Sequence, residues 1–161
     1  LGHTRIALAG GLATSYTAQR RRRGHQEAMR AAGLDPRADH ETALGYTADQ
    51  GRQSLRQLAA LDPRPTGIVV ANVNAAVGLL AEARALGIDV PRELSVATVL
   101  DSWTAENSWP PPTAVKMQFY AMGRTAVASL VRRLGNGPMT DEVILDPAPE
   151  LVVRASTAPP S

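Results

Sequence analysis

Cysteine is missing from all 161 residues, which excludes a disulfide-stapled scaffold and any cysteine metal site. Lysine is almost as scarce: Lys116 stands alone, and arginine carries the rest of the positive charge. Aromatics make up 4% of the chain, so each can be read individually. No apolar run approaches the roughly 20 residues that cross a bilayer, and no secretion signal leads into the first strand-like segment. The start at Leu1, without methionine, leads us to expect a piece of a longer protein. A strong excess of one charge is lacking too, the net charge being +2. The one dense basic cluster is Arg20-Arg21-Arg22-Arg23. Successive helical residues point about 100° apart, so these four fan around the axis and make no one-sided stripe for nucleic acid. They read as a solvated helix surface.

What is present is an alternation of strand and helix. Apolar residues are 44% of the chain, enough for a core. Arg5-Ile6-Ala7-Leu8-Ala9 is a short apolar strand ended by Gly10-Gly11, and a helix from Thr17 to Ala32 follows, stopped by Gly33. A weaker, partly polar strand from Glu41 to Leu44 suits a sheet edge. Thr47-Ala48-Asp49-Gln50 has capping-box spacing and opens a helix that buries Leu55, Leu58 and Leu61. The clearest strand is Gly67 to Asn72, and the helix after it carries Val77, Leu80, Ala81 and Ala85 on one face, with Glu82 and Arg84 polar beside them. Leu94 to Val99 is the fourth strand and runs into an irregular loop through Trp103, Trp109 and Pro110-Pro111-Pro112. This order predicts an α/β fold: a doubly wound parallel sheet with helices on both faces and right-handed crossovers. Thr113 to Met117 is then extended, and Phe119 to Leu134 is an amphipathic helix with Val127, Leu130, Val131 and Leu134 at i, i+3, i+4 and i+7. Extended pieces at Glu142–Leu145 and Glu150–Arg154 and a mobile tail, Thr157 to Ser161, complete the reading.

Enzyme chemistry is hard to find. Gly10-Gly11 follows a strand, but no Gly-x-Gly-x-x-Gly or Gly-Lys-Ser/Thr accompanies it. No Gly-x-Ser-x-Gly elbow occurs. His3, His25 and His40 sit at unrelated spacings and read as surface or structural histidines. We therefore expect a protein that is not an enzyme, with no cofactor and no metal.

In open parallel sheets, ligands bind outside the carboxyl ends of the strands. Those ends, with several other blocks, carry a resemblance. Gly2-His3-Thr4-Arg5-Ile6-Ala7, Val70-Ala71-Asn72 with Ala76-Val77-Gly78, the stretch from Gly87 to Val96, Pro111 to Val115, Met122-Gly123-Arg124, and Glu150 to Thr157 resemble, in order and over nearly the whole chain, the C-terminal part of LacI/GalR-type regulators. The resemblance implies the second lobe of a type I periplasmic-binding-protein-like fold. It divides the chain into residues 1–112 as that lobe, 113–141 as a crossover and helix belonging to the first lobe, and 142–161 as a return strand and tail. It implies a cytoplasmic regulator, a repressor answering to a small sugar-like effector. Its operator DNA would be bound only through an N-terminal helix-turn-helix that this chain does not contain, with no role for a membrane. A solute-binding protein of a membrane transporter is the alternative on the same fold.

Residue by residue, the resemblance gives effector-binding roles to Arg21, Tyr46, Asn72, Asp101 and Phe119. A guanidinium offers several donors in a planar fork, an amide donates and accepts, and the aromatics would stack on or floor the cleft. A homodimer is implied through Val77, Leu80, Ala81 and Trp109. At three places the chain departs from the pattern: Val73 and Leu100 stand where acidic residues are usual, and Met117 where a polar one is. With the first lobe missing, the apolar face of the 119–134 helix is expected to pack on a second copy or fold back onto its own lobe, because exposing it forfeits several kcal/mol, about 1.5–3 per large side chain.

Overall fold

The computed structural model describes every residue except Met139, Thr140, Glu142 and Leu145. The chain runs β1 (Ile6–Ala9), β2 (Gly11–Leu12), α1 (Tyr16–Ala31), β3 (Glu41–Thr42), β4 (Leu44–Gly45), α2 (Ala48–Ala59), β5 (Gly67–Val70), α3 (Val73–Ala85), β6 (Ser95–Val99), α4 (Trp103–Glu106), β7 (Thr113–Lys116), α5 (Phe119–Leu134) and β8 (Glu150–Val152), with a 3-10 turn at Ala38–His40. Six strands form one sheet in the order β3-β1-β5-β6-β7-β8. All neighbours are parallel except β7 and β8. The α/β expectation holds, with one antiparallel strand at the edge.

From β1 the chain moves to β3 on one side, and from β3 it crosses back to β5 on the other. Right-handed crossovers then place α1 on the face opposite α2 and α3. The direction reverses between β1 and β5, so the topological switch point lies where Gly10 and Ala71 leave the sheet side by side. Gly10 is needed there: its φ is +93°, and a Cβ would stand 2.9 Å from Gly45 O.

The core lies under α2 and α3, where Leu55, Leu58, Leu79, Val70 and Val96 are fully buried. The two helices meet through glycine, since a Cβ on Gly51 would fall 2.0 Å from Ala75 O and one on Gly78 1.8 Å from Ala48 O. Thr47 and Gln50 form the expected capping box. The face of α3 that enters the core is Ala75, Ala76, Leu79, Leu80 and Ala83; of the expected stripe only Leu80 reaches it, while Val77 and Ala81 are half-buried and Ala85 is exposed. Glu82, read as surface, is buried against α2, where Arg56 donates to both of its oxygens at 2.6 and 3.1 Å.

Several boundaries move. The Glu41–Leu44 strand is split: β3 joins the main sheet, while β4 pairs antiparallel with β2 in a separate ladder. The break expected after 112 is four residues early for the sheet, which takes in Thr113–Lys116 as β7. The tail is pinned at its start. Ala158 N donates to Ser95 Oγ (3.0 Å), His3 Nε2 donates to Ala158 O (2.8 Å), and fully buried Ser156 bonds Val96 O and Thr113 N. Of the strand expected at Glu142–Leu145, both end residues lie outside the described set.

Helix α5 has the expected limits, but none of its residues is buried. Val127, Leu130, Val131 and Leu134 are all more than half exposed. It has not folded back onto its own lobe. Asp141, Val143, Ile144 and Pro149 flank it across an open groove of about 500 Å³, so that expectation fails among the described residues. Among the described residues no side chain of α5 is buried, a marginal state for a helix of 16 residues in water.

Candidate functional site

The parallel strands β1, β5, β6 and β7 end along one rim, and the loops leaving it are knitted together. Asn72 caps α3, its Oδ1 accepting from Ala75 N (2.9 Å), while its Nδ2 donates to Tyr46 O (3.0 Å). The Tyr46 hydroxyl donates to Oγ of Ser15 (3.3 Å), and Ser15 in turn caps α1. Three loops and two helix starts thus meet at the switch point. Gly11, with φ +86°, lets α1 approach: a Cβ there would lie 2.8 Å from Ala18 Cβ.

Arg21 sits in the second turn of α1. Its neighbours are engaged: Arg20 with the Tyr16 hydroxyl, Arg22 with Glu41 and Arg23 with Glu27. Arg21 is half-buried, and among the described residues it makes no hydrogen bond or ion pair. No other lysine or arginine of the described set is partly buried without a partner. Spacing cannot separate the four arginines. Their partners do.

Asp101 follows β6, and its position was legible, but its partner was not. Both carboxylate oxygens take hydrogen bonds from Arg154 (2.8 and 3.1 Å), and both side chains are about 15% exposed. The Arg154 guanidinium holds the Asp101 carboxyl below its ordinary value of 3.8 against the opposing effect of burial. Arg154 Nη1 also donates to Pro112 O (3.2 Å). The Asp101 carboxylate is therefore turned to the lobe's own β8 side rather than offered to a ligand. A lone arginine after the apolar run Leu151-Val152-Val153 was the available signal for this partner. Next to Asp101, Leu100 is held at φ +76°, a left-handed strain for a non-glycine residue at the rim. Phe119 opens α5 just past β7 and is 52% exposed, so it packs into no core.

The structure thus brings Tyr46 and Asn72 into direct contact and sets Asp101 and Phe119 along the same rim. Arg21 touches none of them. A cavity of about 220 Å³ beside Gly10 and Gly11 is lined by Leu8, Ala18, Gln19, Arg22, Glu41 and Thr42, among others, and by none of these five residues.

A second feature lies on the flank of α3. Val77, Leu80, Ala81 and Trp109 line one groove of about 380 Å³ together with Arg84 and Trp103. Leu80 is buried at its floor, whereas Trp103 and Trp109 are 77% and 81% exposed. Among the described residues no group of three histidines or carboxylates is placed to hold a metal, and no helix is long and apolar enough to cross a membrane.

A mostly parallel lobe with its switch point and strand ends on one open rim has many relatives. Residues 1–157 match the family described as periplasmic binding protein-like domain. A LacI family transcriptional regulator from Mycobacterium smegmatis superposes with a TM-score of 0.95 at 40% identity, covering 100% of this chain and 60% of that one. The chain belongs to the LacI family's periplasmic-binding-protein-like domain. This LacI-type lobe is also similar to the regulator reg1 of Streptomyces lividans, 36% identical over 98% of this chain and 46% of that protein. The regulator CelR of Thermobifida fusca is 33% identical over 96% of this chain and 45% of its own length. A solved CelR–cellobiose complex superposes at a TM-score of 0.89 with 30% identity, covering 96% of this chain and 47% of that one. The lobe spans about half the length of the curated relatives it matches.

Proposed function

We propose that this lobe is the effector-sensing and dimerising part of a cytoplasmic transcriptional repressor, and that a small sugar-like molecule binds across its rim. The observation that carries the site is Arg21: a half-buried guanidinium with no partner among the described residues, beside three arginines that have theirs. Burying an unpaired cation is unfavourable, and an effector's oxygens would relieve it. Tyr46 supplies an aromatic face and Phe119 a floor at the crossing. Asn72 keeps one N–H and one lone pair beyond its two present bonds. Asp101 acts by holding the loop through Arg154.

In this reading α5 crosses to a first lobe that covers its apolar face, the rest of the chain returns to this lobe, and operator DNA is held by a separate helix-turn-helix. The relatives named as transcriptional regulators favour this reading over a transporter's solute-binding protein and over an enzyme. The dimer would form through α3 and the loop bearing Trp109.

The test is release of operator DNA by the intact regulator, read by mobility shift with cellobiose and maltose as first probes. Arg21→Ala is expected to abolish the release while leaving the melting temperature within about 1–2 °C, as for a surface change. An unchanged response would move the site elsewhere.

A further inference from the structure

The Arg84 side chain, exposed in the last turn of α3, has no hydrogen bond, ion pair or ring contact among the described residues. It lines two adjoining grooves of about 380 Å³ each. One holds Val77, Leu80, Trp103 and Trp109; the other runs along Ile88 and Val90 to Trp109 and Pro110. Both tryptophans of the protein stand in this area with about four-fifths of their surface in water. Among the described residues the cation–π pair is Arg20 over Tyr16, at 5.7 Å from the ring centroid. The indoles of Trp103 and Trp109 are left open.

A lone guanidinium and two open indole faces in one continuous groove are complementary to each other. Within one chain they line the same groove, but among the described residues the guanidinium stacks on neither indole. A two-fold axis would pair them, because an isologous contact places each residue against its counterpart in exchange. We propose that Arg84 of one copy seats on the exposed tryptophan face of a second copy, and that this pairing makes the α3 face select itself. Guanidinium stacks on indole better than ammonium does, being planar and more weakly hydrated. Asp89 at one end of the grooves adds an acidic group outside the stacked centre. The inference rests on the proposed dimer through α3 and adds to it the residue that gives the dimer its choice of partner.

Sedimentation equilibrium of the intact protein, with tryptophan emission followed on dilution, tests it. Arg84→Ala removes the contact twice in a two-fold dimer and is expected to weaken self-association about 5- to 900-fold, the product of two cation–π contacts each ranging from exposed to desolvated. Arg84→Lys should recover only part of the loss. The double variant Arg84→Ala/Trp109→Ala should be little weaker than Trp109→Ala alone. Wild-type emission should shift on dilution, and circular dichroism should be unchanged throughout, as suits an exposed side chain. If Val77→Glu and Trp109→Ala dissociate the dimer while Arg84→Ala leaves it intact, the Arg84 role is overturned and the dimer face stands. If Val77→Glu and Trp109→Ala both leave self-association unchanged, or the wild type is monomeric throughout, the dimer reading falls as well.

Discussion

Replacing Arg154 by methionine isolates the Asp101 carboxylate in a nearly buried place. The pair is bidentate at 2.8 and 3.1 Å with both partners about 15% exposed. It is therefore not a surface ion pair, whose median worth is about 0–1 kcal/mol. Removing one partner of a buried pair costs about 3–5 kcal/mol, because the other charge stays behind without compensation. The Ser102 N–H still donates to Asp101 Oδ1 (3.0 Å), and the residual exposure allows some hydration. The lower end, about 3 kcal/mol, is the expected loss at pH 7. For a chain of this size each kcal/mol moves the melting temperature by about 2–4 °C, giving a drop of about 6–12 °C.

The pH dependence has a definite sign. The folded carboxyl titrates below its ordinary 3.8, so the pair stabilises fully above that value and loses its effect as pH falls through the folded pKa. The gap between wild type and Arg154→Met should therefore narrow from pH 7 to pH 3, and adding Asp101→Asn should recover part of the loss at pH 7. Urea denaturation at both pH values reads all three. A cost below about 1 kcal/mol at pH 7, or an equal cost at pH 3, would refute the reasoning.

Gly78→Ala forces a Cβ to within 1.8 Å of Ala48 O, a backbone atom, so α2 and α3 must separate; a loss beyond the usual overpacking range of about 1–3 kcal/mol is expected, and a thermal melt within 2 °C of wild type would contradict it. His40 is 2% exposed, with Nε2 unbonded among the described residues, and burial lowers its pKa from 6.5. Its unfolded form binds the proton more readily, so stability should be full above pH 6.5 and decline as pH falls below it; His40→Leu should flatten that slope between pH 7 and 5, and an unaltered slope would place the titration elsewhere.

Much of this arrangement was legible in the sequence because it depends on local signals. The Thr47–Gln50 box fixes where α2 begins, and the apolar spacing from Val127 to Leu134 fixes α5 without reference to anything it packs on. What the sequence concealed depends on residues far apart. Glu82 reads as a solvated charge until Arg52 and Arg56 come across from α2, and the separation of 53 positions from Asp101 to Arg154 hides that pair from any spacing rule. Thr157 and Ala158 read as tail because short polar chain ends fray; Ser156 and His3 hold them. The resemblance singled out Arg21, and the proposal for it rests on a half-buried guanidinium with no partner among the described residues. The same resemblance treated Asp101 as a ligand group, and its bonds to Arg154 explain the carboxylate by the fold instead.

Helix α3 has its cap in the rim, through Asn72, and its flank in the tryptophan groove, through Leu80 and Arg84. Twelve residues separate Asn72 from Arg84, about 18 Å along the axis. The glycine seam packs α3 closely along α2 between these two ends. A rotation of only about 3° at the cap would carry the far end by about 1 Å, enough to misalign a stacked pair. The rim and the tryptophan groove thus share one helix, so a rigid-body displacement of its Asn72 end would reach the groove as a shift in register with the secondary structure between them unchanged.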